Sequence, residues 1–417
     1  MPSKIIYLCG GRGFCAATLL RKMACIPDSW RALGHEVQTI CGDDVFGDRS
    51  AAAVPQPADN QKKYYGKWYR RIGLLEPVVR SIAEYRDLRH DKQFLGYVQQ
   101  RAASFRPDLI WERPANLHVA GLTVARQLGI PYVVEWLDNI VKSCPSLFRD
   151  RTAAWEKRLY READFVVVVS ERVRGQLAAD GVDPNKILVA FNAVDAEEFC
   201  PDLAKRQKGR RQLGVADDEI LAGYLGSYAF YHDSRRLVLA TDLLRKSTGF
   251  KLRILMLGDG KEYPECHALA SRLGLLDSGL LLMKPRIPKE EVSSVLAALD
   301  IAILPGCIDT ICPIKVQEYM AAGLPTVLPD YPANREVVVE GKTGVLFCPG
   351  DERSLAEALA KLAVDPVLCR RVGQNAREEV LNRFTWEKTW GAALQDILGR
   401  LTERRRSHVG CKQSPSS

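Results

Sequence analysis

Apolar residues along this 417-residue chain gather in short, nearly continuous runs. Six lie in the first half: KIIYLC (4–9), EVQTIC (36–41), DLIW (108–111), YVVEW (132–136), DFVVVV (164–169) and KILVA (186–190). Six more lie in the second: EILAGYL (219–225), LRILML (252–257), LLLM (280–283), DIAIL (300–304), PTVL (325–328) and GVLF (344–347). Longer stretches with helical spacing of apolar positions separate them. A strand that is apolar on both faces belongs in a parallel sheet covered on both sides by helices. The pattern therefore predicts an α/β protein of two doubly wound, Rossmann-like domains. Ligands of such sheets bind beyond the carboxyl ends of the strands, so the loops there are where chemistry is expected.

The boundary falls near 196–215, where polarity rises and LAKRQKGRR (203–211) brings five basic residues and no acid. This assigns residues 1–200 to the first domain and 201–384 to the second. Residues 385–402 read as a helix docking back on the first domain, and 403–417 as a basic, disordered tail. Thr385 suits the N-cap of that helix, but Lys388 stands where a capping box needs an acid or glutamine. Trp386 and Trp390 lie four apart and predict an apolar docking face.

No apolar run approaches the roughly 20 residues that span a bilayer. The N-terminal MPSKIIYLCGG lacks the hydrophobic region and cleavage site of a signal peptide. Twelve scattered cysteines without a C-x-x-C pair argue against a disulfide framework or a metal site. Together these predict a cytoplasmic protein without a metal. The net charge of +8 points to anionic partners. The basic and aromatic run KKYYGKWYRR (62–71) reads as a peripheral membrane contact, an acceptor-gripping loop or a mobile surface segment. Nucleic acid is not expected, because no basic face sits on a recognised module.

Several strand ends carry glycine turns into helices. CGGRGF (9–14) offers Gly10, Gly11 and Arg12, although it fits the dinucleotide fingerprint poorly, with Ala16 where the last glycine belongs. YLGSYAFYHDSRR (224–236) offers Gly226, Ser227 and His232. Arg235 and Arg236 there read as a solvated helix start. LGDG (257–260) offers Gly258, and MKPRIPKEEV (283–292) places Arg286 between two prolines. The richest stretch is ICPIKVQEYMAAGLP (311–325). Pro313 suits a first helical position, Gly323 a C′ position, and Pro325 blocks continuation. That predicts a helix of about three turns whose free N–H groups, near Ile314 and Val316, form an anion site beside Lys315. Glu318 shares the face of Lys315, one turn further on.

These residues resemble the family 4 retaining glycosyltransferases of the GT-B fold. The run P-x-K-x-x-E-Y-M-A-A-G-x-P (313–325) is similar to a form found in one branch of that family. LGDG, IPKEEV, LDIAILP, REVVVEGKTGVLF and FTWEKTW follow the family's order and spacing. The first half fits through ALGHEV, IWERP, GIPYVVEW, EADFVVVVSE and ILVAFNAVDAEEF. The resemblance implies an acceptor-side first domain and a donor-side second domain. It implies transfer of a sugar with retention from a nucleotide diphosphate sugar, UDP- or GDP-linked, the co-substrate taking the place of a cofactor. The acceptor class stays open among glycans, lipid-linked molecules and small molecules. By the same resemblance, Glu318 binds the ribose hydroxyls and the amides from Ile314 to Val316 bind the diphosphate.

Three departures matter. Family members commonly carry an arginine directly after Gly226 and a lysine five residues beyond it, where this chain has Ser227 and His232. Lys315 is then the expected replacement cation, assisted by His232 and Arg12. The family's paired glutamates become Thr310, with Asp309 beside it, and Glu318. A histidine usual near the reacting carbon is missing from EWLDN, which leaves Glu135, Asp138 and Asn139 as catalytic stand-ins, with His118 as a weaker candidate; Arg113, just past IWE, is placed to touch donor or acceptor. Two other readings stay open: a GT-B-fold epimerase or phosphorylase, and a catalytically impaired nucleotide-sugar-binding subunit.

Overall fold

The computed structural model describes residues 2–11, 21–42, 76–115, 117–136, 147–245 and 251–411. They form two compact units. The first draws on residues 1–169, 174–190 and 390–417, and the second on 170–173 and 191–389.

The first unit contains β1 (Lys4–Cys9), β2 (Glu36–Cys41), β3 (Leu109–Arg113), β4 (Tyr132–Trp136), β5 (Phe165–Val168) and β6 (Ile187–Val189). They line up as β2-β1-β3-β4-β5-β6, and every neighbouring pair is parallel. Alternate residues point to opposite faces. Tyr7 and Trp111 face the Arg21–Ala32 helix, where Trp30 packs 4.6 Å from the Trp111 ring. Glu112 faces the Ala120–Leu128 helix on the other side, and only a glycine, Gly121, leaves it room.

The second unit contains β7 (Ile220–Leu225), β8 (Leu252–Leu257), β9 (Leu281–Lys284), β10 (Ile301–Ile303), β11 (Thr326–Pro329) and β12 (Gly344–Phe347). Their order is β12-β11-β10-β7-β8-β9, again parallel throughout. Each apolar run of the sequence has become a strand; the central ones are buried on both faces, while the edge strands β2 and β9 are only partly buried.

The limits of the units differ from the expected ones. The second unit begins at Phe191, because the Val194 N–H donates to the Phe384 carbonyl at 3.0 Å and Val194, Ala196 and Phe199 enter its core. The chain rejoins the first unit at Trp390, whose carbonyl accepts from Trp30 Nε1 at 3.0 Å. Trp386 stays with the second unit, so the two tryptophans do not share a docking face. A π-turn over Glu387–Gly391 separates them, and the Thr385 hydroxyl accepts from the Lys388 N–H at 3.4 Å. The final helix, Ala392–Cys411, continues well into the stretch expected to be a disordered tail. Arg400 pairs with Asp396 at 2.8 Å on the same helix and donates to the Asn185 carbonyl at 3.0 Å, and Arg404 lies 5.0 Å from the Phe165 ring centre. Among the described residues, no helix is long and apolar enough to cross a membrane.

Candidate active site

The second sheet reverses its order between β7 and β10, and a ligand crevice opens where strand order reverses. Two loops and one helix meet there. Gly226, Ser227 and His232 follow β7, and residues 304–313 follow β10 and lead into the Ile314–Ala321 helix. The helix is pinned to the strand end by Tyr319, whose hydroxyl bonds both the N–H and the carbonyl of Leu225 at 3.1 Å.

This helix is shorter than expected, at eight residues. Pro313 is its N-cap (φ −66°, ψ 143°) rather than its first turn, and no side chain caps that end. A proline at the N-cap lacks the side-chain oxygen that usually occupies the first N–H groups. The other end closes as expected. Gly323 adopts φ +71°, its N–H donates to Met320 and that of Leu324 donates to Tyr319, which is a complete Schellman motif.

Lys315 is the centre of the site. Its Nζ lies 3.4 Å from His232 Nε2 and 4.9 Å from the centre of the Tyr224 ring. Burial holds its pKa down at about 8, against a partial rescue by Glu318. The His232 Nδ1 faces the Gly306 carbonyl at 3.1 Å, so Nδ1 carries the proton and Nε2 is left to accept from the lysine. Burial first, and the lysine charge second, push the His232 pKa down to about 4. The histidine is therefore neutral. It was expected to assist as a cation, and instead it orients the cation.

The glycines make the room. A Cβ at Gly226 would overlap both Lys315 Nζ and the Tyr224 hydroxyl. Gly258 (φ +152°) lies against the Gly226 carbonyl and donates its N–H to the Lys284 carbonyl at 3.0 Å. The loop before the helix is fastened at three further carbonyls or side chains. Ser170 Oγ donates to the Thr310 carbonyl at 2.7 Å, Asn192 Nδ2 to the Cys312 carbonyl at 2.9 Å, and Asn334 Nδ2 reaches Cys307 Sγ at 3.4 Å.

The second unit thus brings together Gly226, His232, Gly258, Ile314, Lys315 and Val316, with Glu318 half-buried on the same helix. Ser227 contributes its carbonyl, which accepts from the Tyr224 hydroxyl at 2.7 Å. Thr310 is half-buried, and its neighbour Asp309 pairs with Arg172 at 3.2 Å. Arg286 is exposed beyond β9. Arg236, expected to be part of a solvated helix start, pairs with Asp233 at 3.1 Å and with Glu352 at 2.6 Å. Tyr224, Gly306, Ser170 and Asn192 did not stand out in the sequence. Tyr224 sits inside an apolar strand run, Gly306 acts through its own carbonyl, and the side chains of Ser170 and Asn192 bond backbone carbonyls of the distant Thr310 and Cys312, partners that no sequence pattern announces.

The remaining expected residues lie in the first unit. Gly10 and Gly11 are buried against Phe94, His118 and Gly42. His118 is enclosed and bonded to His90 at 3.2 Å, which is a structural arrangement. Glu135 is only 1% exposed, and its Oε1 accepts from the Tyr7 hydroxyl at 2.9 Å and from Trp111 Nε1 at 3.1 Å. So enclosed, it serves to hold its neighbours rather than to meet a substrate. Arg12, Asp138, Asn139 and the 62–71 run lie outside the described residues.

Two family models match the chain: "Glycosyl transferase 4-like domain" over residues 26–193 and "Glycosyl transferases group 1" over residues 205–379. A GDP-mannose-dependent alpha-mannosyltransferase of Mycobacterium tuberculosis is 28% identical over 375 residues, covering 88% of each chain. A D-inositol 3-phosphate glycosyltransferase of Stackebrandtia nassauensis is 29% identical over 317 residues, covering 72% of this chain and 69% of the relative. Among solved structures, Anabaena HepE in complex with UDP superposes with a TM-score of 0.68 at 18% identity, covering 95% of this chain and 100% of that one. Sucrose-phosphate synthase of Thermosynechococcus elongatus gives 0.69 at 19% identity, covering 97% and 100%. These likenesses establish the GT-B fold. With both halves matched by glycosyltransferase models, the chain is an enzyme that belongs to the group 1, family 4 glycosyltransferases.

Proposed function

We propose that this enzyme moves a sugar from a nucleoside diphosphate sugar to a hydroxyl acceptor, with retention and with Lys315 and an uncapped helix end in place of a metal ion. The observation that carries this reading is the Lys315 ammonium, held by His232 and Tyr224 at the first turn of the Ile314–Ala321 helix. In the reaction, the bond from the anomeric carbon to the diphosphate oxygen breaks and a bond to the acceptor oxygen forms on the same face. The acceptor's hydroxyl proton leaves with the nucleoside diphosphate. Negative charge grows on the departing diphosphate, and preorganised donors aimed at that charge stabilise the transition state. Lys315 is such a donor, already held in place, and so are the helix N–H groups that remain, those of Ile314 and Lys315, because the Val316 N–H already donates to the Pro313 carbonyl at 2.9 Å. Glu318, one turn along, takes the ribose hydroxyls.

The arrangement answers the missing family cations. Ser227 and His232 replace an arginine and a lysine, and Lys315 supplies the charge from the facing helix. The relatives named above use GDP-mannose or act on inositol phosphate, and HepE was solved with UDP, so the base is for experiment to decide. A thermal-shift and hydrolysis screen against UDP-, GDP-, ADP- and TDP-sugars identifies the donor. Lys315→Ala is then expected to abolish both the shift and the turnover. Near-normal turnover in that variant refutes the assignment.

A further inference from the structure

The long Glu76–Phe105 helix of the first unit changes character along its outer face. Its inner stripe is fixed: Asp91, Phe94 and Val98 are buried, and the Asp91 carboxylate accepts from the N–H groups of Val119 and Ala120 at 3.1 and 3.2 Å. From Gly96 onward the outward positions are small or polar, among them Gln99, Gln100 and Ser104, as befits a helix facing water. Between Val78 and Gln93 the outer face differs. Val78, Ile82, Tyr85 and Leu88 are exposed there, Ile82 to 52% and Tyr85 to 67%. Arg86, Arg89 and Lys92 are exposed among them.

The acids of this stretch point elsewhere. Glu84 and Asp91 are buried and Asp87 is half-buried, so every fully exposed ionic side chain from 78 to 93 is a cation. Val78, Ile82, Tyr85 and Arg89 recur at helical spacing, which sets apolar and basic side chains on one stripe. Leu147, 67% exposed, extends the apolar part, because its N–H donates to Ser81 Oγ on the same helix at 3.3 Å. Single apolar residues on a surface need no explanation, whereas a contiguous set does. A protein partner would favour a core depleted of charge, and of lysine above all. Apolar side chains interleaved with cations match instead the boundary between acyl chains and anionic headgroups.

We propose that the outer face of residues 78–92, with Leu147 beside it, seats this enzyme on a membrane leaflet rich in anionic lipid. Val78, Ile82, Tyr85 and Leu147 enter the headgroup boundary, and Arg86, Arg89 and Lys92 meet the lipid phosphates. The helix lies along the surface and does not cross it, being neither long nor apolar enough to span. Apolar area and basic charge together supply the two signals that surface attachment needs. Donor binding at Lys315 plays no part in it.

Co-sedimentation of the full chain with vesicles is the test, using phosphatidylcholine alone and phosphatidylcholine mixed equally with phosphatidylglycerol. The wild type is expected to bind the mixed vesicles, to bind the neutral ones far less, and to be released by salt. Each cation near an anionic surface contributes about fivefold, so Arg86→Gln, Arg89→Gln and Lys92→Gln together should weaken binding about 100-fold. Ile82→Ser with Tyr85→Ser should abolish it, whereas Ile82→Trp should keep or strengthen it. All five positions are exposed, so the Tm of each variant should match the wild type. Equal binding to neutral vesicles, undiminished binding of the serine variant, or loss in Ile82→Trp overturns the proposal. So does binding that survives the helix variants and disappears when Lys62, Lys63, Lys67, Arg70 and Arg71 are replaced by glutamine. Binding to neither vesicle overturns it as well. A concentration-dependent dimer in sedimentation velocity, broken by the serine variant, would then assign the face to a second copy of this chain.

Discussion

Replacing Lys315 by methionine is expected to make the enzyme more stable while destroying its use of donor. The folded protein holds this lysine at a pKa of about 8, against 10.5 for a free side chain. A difference of about 2.5 corresponds to about 3 kcal/mol at 1.36 kcal/mol each, the cost of keeping the charge in the folded state at pH 7. That figure already includes the attraction of Glu318, which acts on the folded pKa; the contact with the Tyr224 ring, also lost in the variant, works against the gain. Methionine keeps most of the volume and removes the charge. It also strips His232 Nε2 of its donor, which takes back about 1 kcal/mol. A net gain of about 1–2 kcal/mol remains, or a rise in Tm of about 3–6 °C for a unit of this size. The sign with pH follows from proton binding. Between about pH 8 and 10.5 the unfolded chain holds the proton that the folded chain has released, so wild-type stability rises with pH through that window. The variant has no such rise. Calorimetry of both proteins without nucleotide, from pH 7 to 10, measures the gap and its closing. A variant that melts below the wild type at pH 7, or a gap that stays constant with pH, refutes the reasoning. In the same samples, nucleoside diphosphate should raise the Tm of the wild type alone.

Other substitutions separate the parts of the site. Gly226→Ala places a methyl group where Lys315 Nζ and the Tyr224 hydroxyl lie, so donor turnover should fall about 100-fold with the fold intact by circular dichroism. Glu318→Ala should raise the KM for donor about tenfold or more, whereas Ser227→Ala, which leaves the carbonyl that Tyr224 uses, should change kinetics less than twofold. Away from the site, burial lifts the Glu112 pKa to about 8, and its Oε2 accepts from Tyr132 at 2.5 Å. A carboxyl whose pKa is raised on folding stabilises at low pH and loses that contribution as pH rises from about 4.5 to 8. Glu112→Gln, which mimics the protonated acid, should therefore match the wild type near pH 5 and exceed its Tm at pH 8. Parallel melting curves across that range would count against the assignment.

The architecture was legible in the sequence because burial on both faces leaves a mark that needs no partner. Every apolar run from KIIYLC to GVLF became a parallel strand, and the loops named at their carboxyl ends include those that build the site. Local chemistry was legible for the same reason. Gly323 ends its helix because the αL turn is a property of that residue, and Pro313 leaves the opposite end open because it has no side-chain oxygen.

What depends on distance between remote positions was not legible. Residue types alone made His232 a phosphate cation. Only the fold puts its Nδ1 on the Gly306 carbonyl and its Nε2 on Lys315, and so makes it neutral. Glu135 stood in for the family's missing histidine, yet Tyr7 from β1 and Trp111 and Arg113 from β3 enclose it. The end of the first unit moved to Ala190 because one backbone bond, Val194 to Phe384, joins segments 190 residues apart. Apolar periodicity, caps and turns are determined by neighbours along the chain, and the sequence states them directly. Protonation, orientation and enclosure are determined by neighbours in space, and only the folded chain decides them.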